Sequence, residues 1–193
     1  MLYSGDMENT SHFVSNLTQV LSLGAIIGII VVFAWAILLL VSLHQKKNFF
    51  FFKTVTRYVL PLGFLVSFSG MVLSLLYSEV FHFIPCELCW YQRVFIYSQA
   101  FIFGYAWYRK DTSILPYSLL LSGVGFIIAM YHHALQVGYD IYKPCSTSPF
   151  AVDCAKPSFV EFGFVTFPFM AVVLFSFLIA LSLTVFVSNK RGE

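Results

Sequence analysis

Five apolar runs dominate the chain, at 20–43, 58–77, 91–108, 115–131 and 164–187. Each has about the 17–25 residues that a helix needs to cross a bilayer. None alternates apolar with polar at period two, so strands are not expected. Inside the runs there is no Asp, Glu or Lys, and the one Arg is Arg93, near the start of the third. A charge at that depth is costly and marks a functional position. The pattern predicts five transmembrane helices joined by short connections.

The first run resembles a signal peptide only superficially. It is long, its N-terminal flank carries Asp6 and Glu8 with no Lys or Arg, and no small-x-small site follows it. A retained helix is expected. Its Gly24-x-x-x-Gly28 spacing permits close approach of another helix. Phe49–Phe52, between Lys46, Lys47 and Lys53, reads as an interfacial connector, with rings in lipid and ammonium groups at the head groups. No internal repeat is present.

Composition narrows the classes further. The chain is 59% hydrophobic and only 10% charged, against about 25% charged in ordinary soluble domains. Its 19% aromatic content, with 23 Phe, is the opposite of a disordered composition. A net charge of +2, with its basic residues scattered, gives no footing for nucleic acid.

Those charges also orient the helices. Lys46, Lys47, Lys53, Arg57, Arg109, Lys110, Lys190 and Arg191 fall on one side of a five-span layout. The opposite side holds Arg93, Lys143 and Lys156 together with Asp6, Glu8, Glu79, Glu87, Asp140, Asp153 and Glu161. By the positive-inside rule the N-terminus is outside and the C-terminus is cytoplasmic. All four cysteines, Cys86, Cys89, Cys145 and Cys154, are then extracytoplasmic, where disulfides form and persist.

The sharpest string is Pro85-Cys86-Glu87-Leu88-Cys89-Trp90-Tyr91-Gln92-Arg93. Pro85 can open a helix, which puts both sulfurs near its first turn, where free amide N–H groups favour a thiolate. Cys89 and Arg93 are four apart and share a helix face, so the cation is expected to lower the thiol pKa and to be paired with an anionic group. Haem attachment requires His after the second Cys, and Trp90 stands there. Zinc is a weaker fit, because the second cysteine pair is separated by eight residues. Cys145 and Cys154 suit a structural bridge worth about 2–3 kcal/mol by loop-closure entropy. One pair in an outer loop and another at a helix start also suit a relay of thiol–disulfide exchange. His132, in Tyr131-His132-His133-Ala134-Leu135-Gln136, falls at the same depth as Cys89 and Arg93.

With these motifs the chain resembles the DsbB family of bacterial membrane disulfide oxidoreductases, including the Bdb-type members of Gram-positive bacteria. The resemblance covers residues 57–190. It rests on Cys86 through Arg93, on His132-x-x-Leu135-Gln136, on the paired loop cysteines, and on Phe162-Gly163-Phe164-Val165-Thr166-Phe167-Pro168-Phe169. Vitamin K epoxide reductase-like proteins share a four-helix plan, but their Cys-x-x-Cys follows the loop pair, whereas here it comes first.

The resemblance implies an all-α four-helix transmembrane bundle at 57–193, with an extracytoplasmic cysteine loop at 134–163, in the bacterial cytoplasmic membrane. Residues 1–56 then form an extension with one extra transmembrane helix and a basic connector. It further implies a thiol:quinone oxidoreductase. Cys86 and Cys89 reduce a membrane quinone, ubiquinone or menaquinone, with Cys89 against the ring; Arg93 and His132 bind the quinone. Cys145 and Cys154 reoxidise a secreted DsbA-like thioredoxin-fold thiol oxidase, with Cys145 forming the mixed disulfide. The extra helix and the compact loop pair depart from the enterobacterial pattern. A different class of reading, a non-catalytic membrane protein whose cysteines are metal ligands or staples, leaves Arg93 unexplained.

Overall fold

The computed structural model describes the backbone of residues 3–45, 50–139 and 152–189, and the side chains of 12–44, 54–139 and 152–188. Cys145, Lys143, Lys190, Arg191 and the Phe49–Phe52 connector's side chains lie outside these. Five long helices are formed: α1 (Tyr3–Gln45), α2 (Phe50–Leu75), α3 (Glu87–Arg109), α4 (Leu115–Gln136) and α5 (Phe167–Asn189). A π-helical turn, Leu76–Val80, extends α2.

α1 is longer than the hydropathy suggests. It starts at Tyr3 rather than near Val20, and at 1.5 Å per residue it is about 65 Å long, roughly twice a bilayer core. The polar stretch before Val20 contains no Pro to stop it, so the helix runs on beyond the apolar segment.

Among the described residues four helices are long and apolar enough to cross a membrane, and α3 falls short on mean apolarity. The reason lies in which way its polar residues face. Gln92, Arg93 and Gln99 are buried, while Trp90, Tyr91, Val94, Phe101 and Tyr105 are exposed. α4 follows the same rule, with Ser118, Ser122 and His132 buried and Leu120 and Ile127 exposed. Polar groups inside and apolar groups outside is the arrangement lipid demands. The inward polar groups also join helices: Gln99 Oε1 accepts from Ser118 Oγ at 2.7 Å and Ser122 Oγ at 3.1 Å, tying α3 to α4.

α2, α3, α4 and α5 pack in a closed ring, each against its neighbours, and α1 lies outside the ring along α5. Trp35 Nε1 donates to Thr184 Oγ1 at 3.0 Å across that seam. Of the two glycines spaced for close approach, Gly28 makes it, since a Cβ there would lie 2.8 Å from Val173 of α5. Gly24 does not; a Cβ there would meet nothing within 4 Å.

At the end of the bundle where α3 starts, the chain enters α5 through a tight turn. Glu161 and Val165 exchange backbone hydrogen bonds of 2.9 Å, with Phe162 and Gly163 at positive φ between them. The turn aims Phe167 inward, against Tyr77, Phe83 and Phe159.

Candidate active site

Cys86 is the N-cap of α3, with extended backbone, and Cys89 sits in the helix's first turn. Their sulfurs are 3.4 Å apart and both are free thiols. Because Cys86 is still outside the helical rotation, the two thiols serve different neighbourhoods. Cys86 is buried with Leu88, Leu135 and Cys154, on the side of the cysteine loop, and Cys89 packs only against the border of that cluster. Cys89 lines a cavity of about 440 Å³ on the other side of the helix start.

His132 stands on the Cys86 side. It is fully buried, with Nε2 3.5 Å from Cys86 Sγ and 3.2 Å from the carbonyl oxygen of Cys154. Gln92 Nε2 lies 2.9 Å from its Nδ1 and Gln136 Nε2 3.2 Å from its Nε2, so two side-chain amides hold the ring with its Nε2 edge toward the sulfur and the carbonyl. Gln136 Nε2 reaches the same carbonyl at 3.4 Å. Cys154 is disulfide-bonded. Four of the expected residues, Cys86, Cys89, Arg93 and His132, therefore converge with Cys154, and Cys145 lies outside the described residues. His132 is not among the residues lining the cavity; it stands between Cys86 and Cys154.

The two thiols share one proton. The Cys86 thiol is pulled from 9.0 down to about 4, first by the hydrogen bond from Cys89 and then, against the opposing effect of burial, by the hydrogen bond and charge of His132. Cys89 is pushed up, because it holds the proton of that bond and is desolvated beside the Cys86 thiolate. Arg93 acts to lower it, as its place four residues on led one to expect, but is outweighed. A stabilised thiolate favours the dithiol over the disulfide and makes the pair a stronger oxidant, by about 30 mV for each tenfold change in the equilibrium.

A pH test follows from these causes. In the reduced protein, alkylation of Cys86 should be flat between about pH 5 and 8, because the thiolate already predominates there. His132→Leu removes two of the influences holding Cys86 down, so its titration moves upward and the rate should then climb with pH. Mass-spectrometric timing of iodoacetamide labelling reads both profiles; identical flat curves would rule the His132 contribution out.

Arg93 is buried and lines the cavity beside Cys89. No carboxylate pairs with it among the described residues, contrary to the anionic partner expected from its depth. It donates to the carbonyl oxygen of Ser74 on α2 at 3.1 Å and stacks over Trp90, 5.1 Å from the ring centroid. Among the described residues it is the sole charged one on the cavity wall. The rest of the wall is apolar apart from Tyr77, Gln92 and a few serines, which is the make-up of a site for a small, lipid-soluble molecule.

Cys86, Cys89 and His132 also place three ligand atoms within 4.8 Å of one another. Structural zinc takes four such ligands, and Cys154, the nearest further cysteine, has its sulfur committed to a disulfide.

Gln92, Gln136 and Tyr77 acquire roles that sequence reasoning did not assign. Gln92 carried a signal, being an uncharged polar residue in an apolar run. Tyr77 carried none, as its hydroxyl is held 2.7 Å from Thr18 Oγ1, a residue 59 positions away.

Comparison with known proteins agrees with this architecture. A family model described as disulfide bond formation protein DsbB matches residues 56–185. The SPbeta prophage-derived disulfide bond formation protein B of Bacillus subtilis is 37% identical over 139 residues, covering 70% of this chain and 93% of that protein. A probable disulfide formation protein of Oceanobacillus iheyensis is 37% identical over 130 residues, covering 66% and 86%. Disulfide bond formation protein C of Bacillus subtilis is 36% identical over 133 residues, covering 68% and 91%. No solved structure matches the chain.

Proposed function

The chain belongs to the DsbB family and is a multi-pass membrane disulfide oxidoreductase, and from that premise we propose that it oxidises a secreted thioredoxin-fold thiol oxidase of the DsbA type and passes the electrons to a membrane quinone. The observation that carries this reading is the division of the Cys-x-x-Cys pair, with Cys86 facing the loop cysteine and Cys89 facing a lipophilic cavity beside a buried cation.

The fit of a quinone rests on the cavity's donors. Arg93 spends one N–H on Ser74 and keeps others for a carbonyl oxygen, and the apolar wall suits a hydrocarbon ring and tail. When bound, a quinone supplies a two-electron acceptor. The protein's own residues do the rest. Cys145 accepts the partner's thiolate, and the partner's second thiol resolves the mixed disulfide, leaving Cys145 and Cys154 reduced. A loop thiolate then attacks the Cys86–Cys89 disulfide at Cys86 and expels Cys89 as a thiolate; the second loop thiol resolves that bond and restores the loop disulfide. In the Cys86-linked intermediate no thiolate remains at Cys86 to oppose ionisation of Cys89, and the attraction of Arg93 is left to hold the charge at the cavity. Closing the Cys86–Cys89 disulfide releases two electrons and two protons to the acceptor. Holding a dithiol against a lipid-soluble oxidant is chiefly catalysis by proximity.

The positive-inside pattern supports an orientation with the N-terminus and all four cysteines outside and the C-terminus cytoplasmic. Residues 1–56 form an extension and 57–193 the catalytic core.

The direct experiment is anaerobic reduction of quinone by purified protein supplied with a reduced DsbA-like partner. Quinol should form with repeated turnover and stop in Cys154→Ser. Absence of quinol with both ubiquinone and menaquinone, together with stoichiometric zinc in the protein, would sink the proposal and make the cysteines ligands.

A further inference from the structure

The cavity is not built from the family-matched segment alone. Leu21, Gly24 and Ala25 of α1 line it, opposite Val66, Ser69 and Leu73 of α2. These α1 residues precede the 56–185 match, so they belong to this chain's extension. Among the described residues α1 and α2 each pack on α5, while α1 meets α2 much less closely. What separates them is a crevice with α5 as its floor and Cys89 and Arg93 at its inner end. Both ends of the α1 wall are fixed. Thr18 Oγ1 and Tyr77 OH bond at 2.7 Å at the end near the thiols, and Gly28 seats α1 against Val173 about one turn beyond Gly24. Gly24 itself is exposed, and a Cβ there would meet open space.

We propose that α1 is a wall of the quinone site, and that the α1–α2 crevice at Leu21 and Gly24 is the passage through which a prenylated quinone's tail leaves toward the bilayer. The inference rests on the quinone reading above. A quinone with a long apolar tail reaches Cys89 from within the membrane, so its tail must leave through an opening with apolar sides. The crevice has such sides, and it continues directly from the wall that carries Cys89 and Arg93. The small residue at 24 keeps the passage clear; a large one fills it. Ile27 of α1 is exposed and does not line the cavity, so it serves as a control.

The test uses the full-length protein in lipid nanodiscs, with Gly24→Phe against wild type and Ile27→Phe. Two readouts are taken: the amount of long-tailed quinone retained per protein after washing, and KM for a long-tailed and a tailless quinone. Gly24→Phe is expected to cut retention and raise KM for the long-tailed quinone by about tenfold, with the tailless quinone and Ile27→Phe little changed. If Gly24→Phe does not insert, Leu21→Trp places a bulky ring one turn earlier on the same wall. Unchanged retention and KM in an active, folded variant would overturn the passage while leaving the quinone reading intact. Wild type that neither retains nor reduces quinone would overturn both.

Discussion

Cys89→Ser should lower quinol formation by more than about 10³-fold, the scale expected when a covalent participant is lost, and Cys86→Ser should do the same while stalling at a different step. The two variants separate because the thiols face different ways. With serine at 89, Cys86 still lies 3.5 Å from His132 and packs with Cys154. It remains within reach of the loop pair, so a disulfide between Cys86 and a loop cysteine should accumulate. With serine at 86, the remaining thiol lines the cavity and only borders the cluster that holds Cys154, so it should attack the loop disulfide much more slowly than Cys86 does. Non-reducing electrophoresis after proteolysis, followed by mass spectrometry, identifies the species. Accumulation of the same loop-linked disulfide in both variants would mean that Cys86 and Cys89 are interchangeable, and the assignment of one to each side would be wrong.

The layout of apolar runs was legible because lipid imposes a length and a composition that few other structures share. Both departures have local causes. α1 begins well before its apolar stretch because hydropathy reports where lipid is, whereas a helix ends only where a breaker or an unsatisfied end stops it. α3 fails a mean-hydropathy test because averaging discards direction, and its polar residues are the ones turned inward. The motif from Cys86 to Arg93 announced the chemistry, and spacing placed Arg93 with Cys89. Spacing did not say that Cys86, as N-cap, faces the loop, since a residue with extended backbone does not follow the helical rotation. Nor did it place His132 between Cys86 and Cys154 rather than on the cavity wall. The share of α1 in the cavity was equally hidden, because the Thr18–Tyr77 contact depends on the packing of helices far apart in sequence. Composition can suggest that the extra helix touches something, and Gly24-x-x-x-Gly28 did; only the fold distinguishes the glycine that touches from the one that opens.

Arg93→Ala should lower kcat for quinone reduction by about 10²–10³-fold, with a smaller effect on KM, because its guanidinium acts on charge that appears only as electrons arrive. The geometry makes this specific. Ser74's carbonyl oxygen and the Trp90 ring hold the guanidinium in place without neutralising it. A carboxylate in their stead would cancel the field that the cavity needs. The buried cation therefore serves two moments of one reaction: it steadies the Cys89 thiolate released by exchange at Cys86, and it offsets negative charge on the acceptor's oxygen. Arg93→Lys keeps the charge but loses the planar fork and the stacking, so it should fall between wild type and alanine. A purely structural role predicts otherwise, with losses that follow thermal stability and equal effects on kcat and KM. The deciding measurements are the kcat and KM split with each quinone, the loop-to-Cys86 exchange rate in single turnover, and rescue of Arg93→Ala by added guanidinium. Exchange should slow far less than quinone reduction, since there Arg93 steadies only the departing Cys89 thiolate while His132 governs the attacked Cys86. If exchange slows as much as quinone reduction and guanidinium restores neither, Arg93 holds α2 to α3 and does nothing for the acceptor.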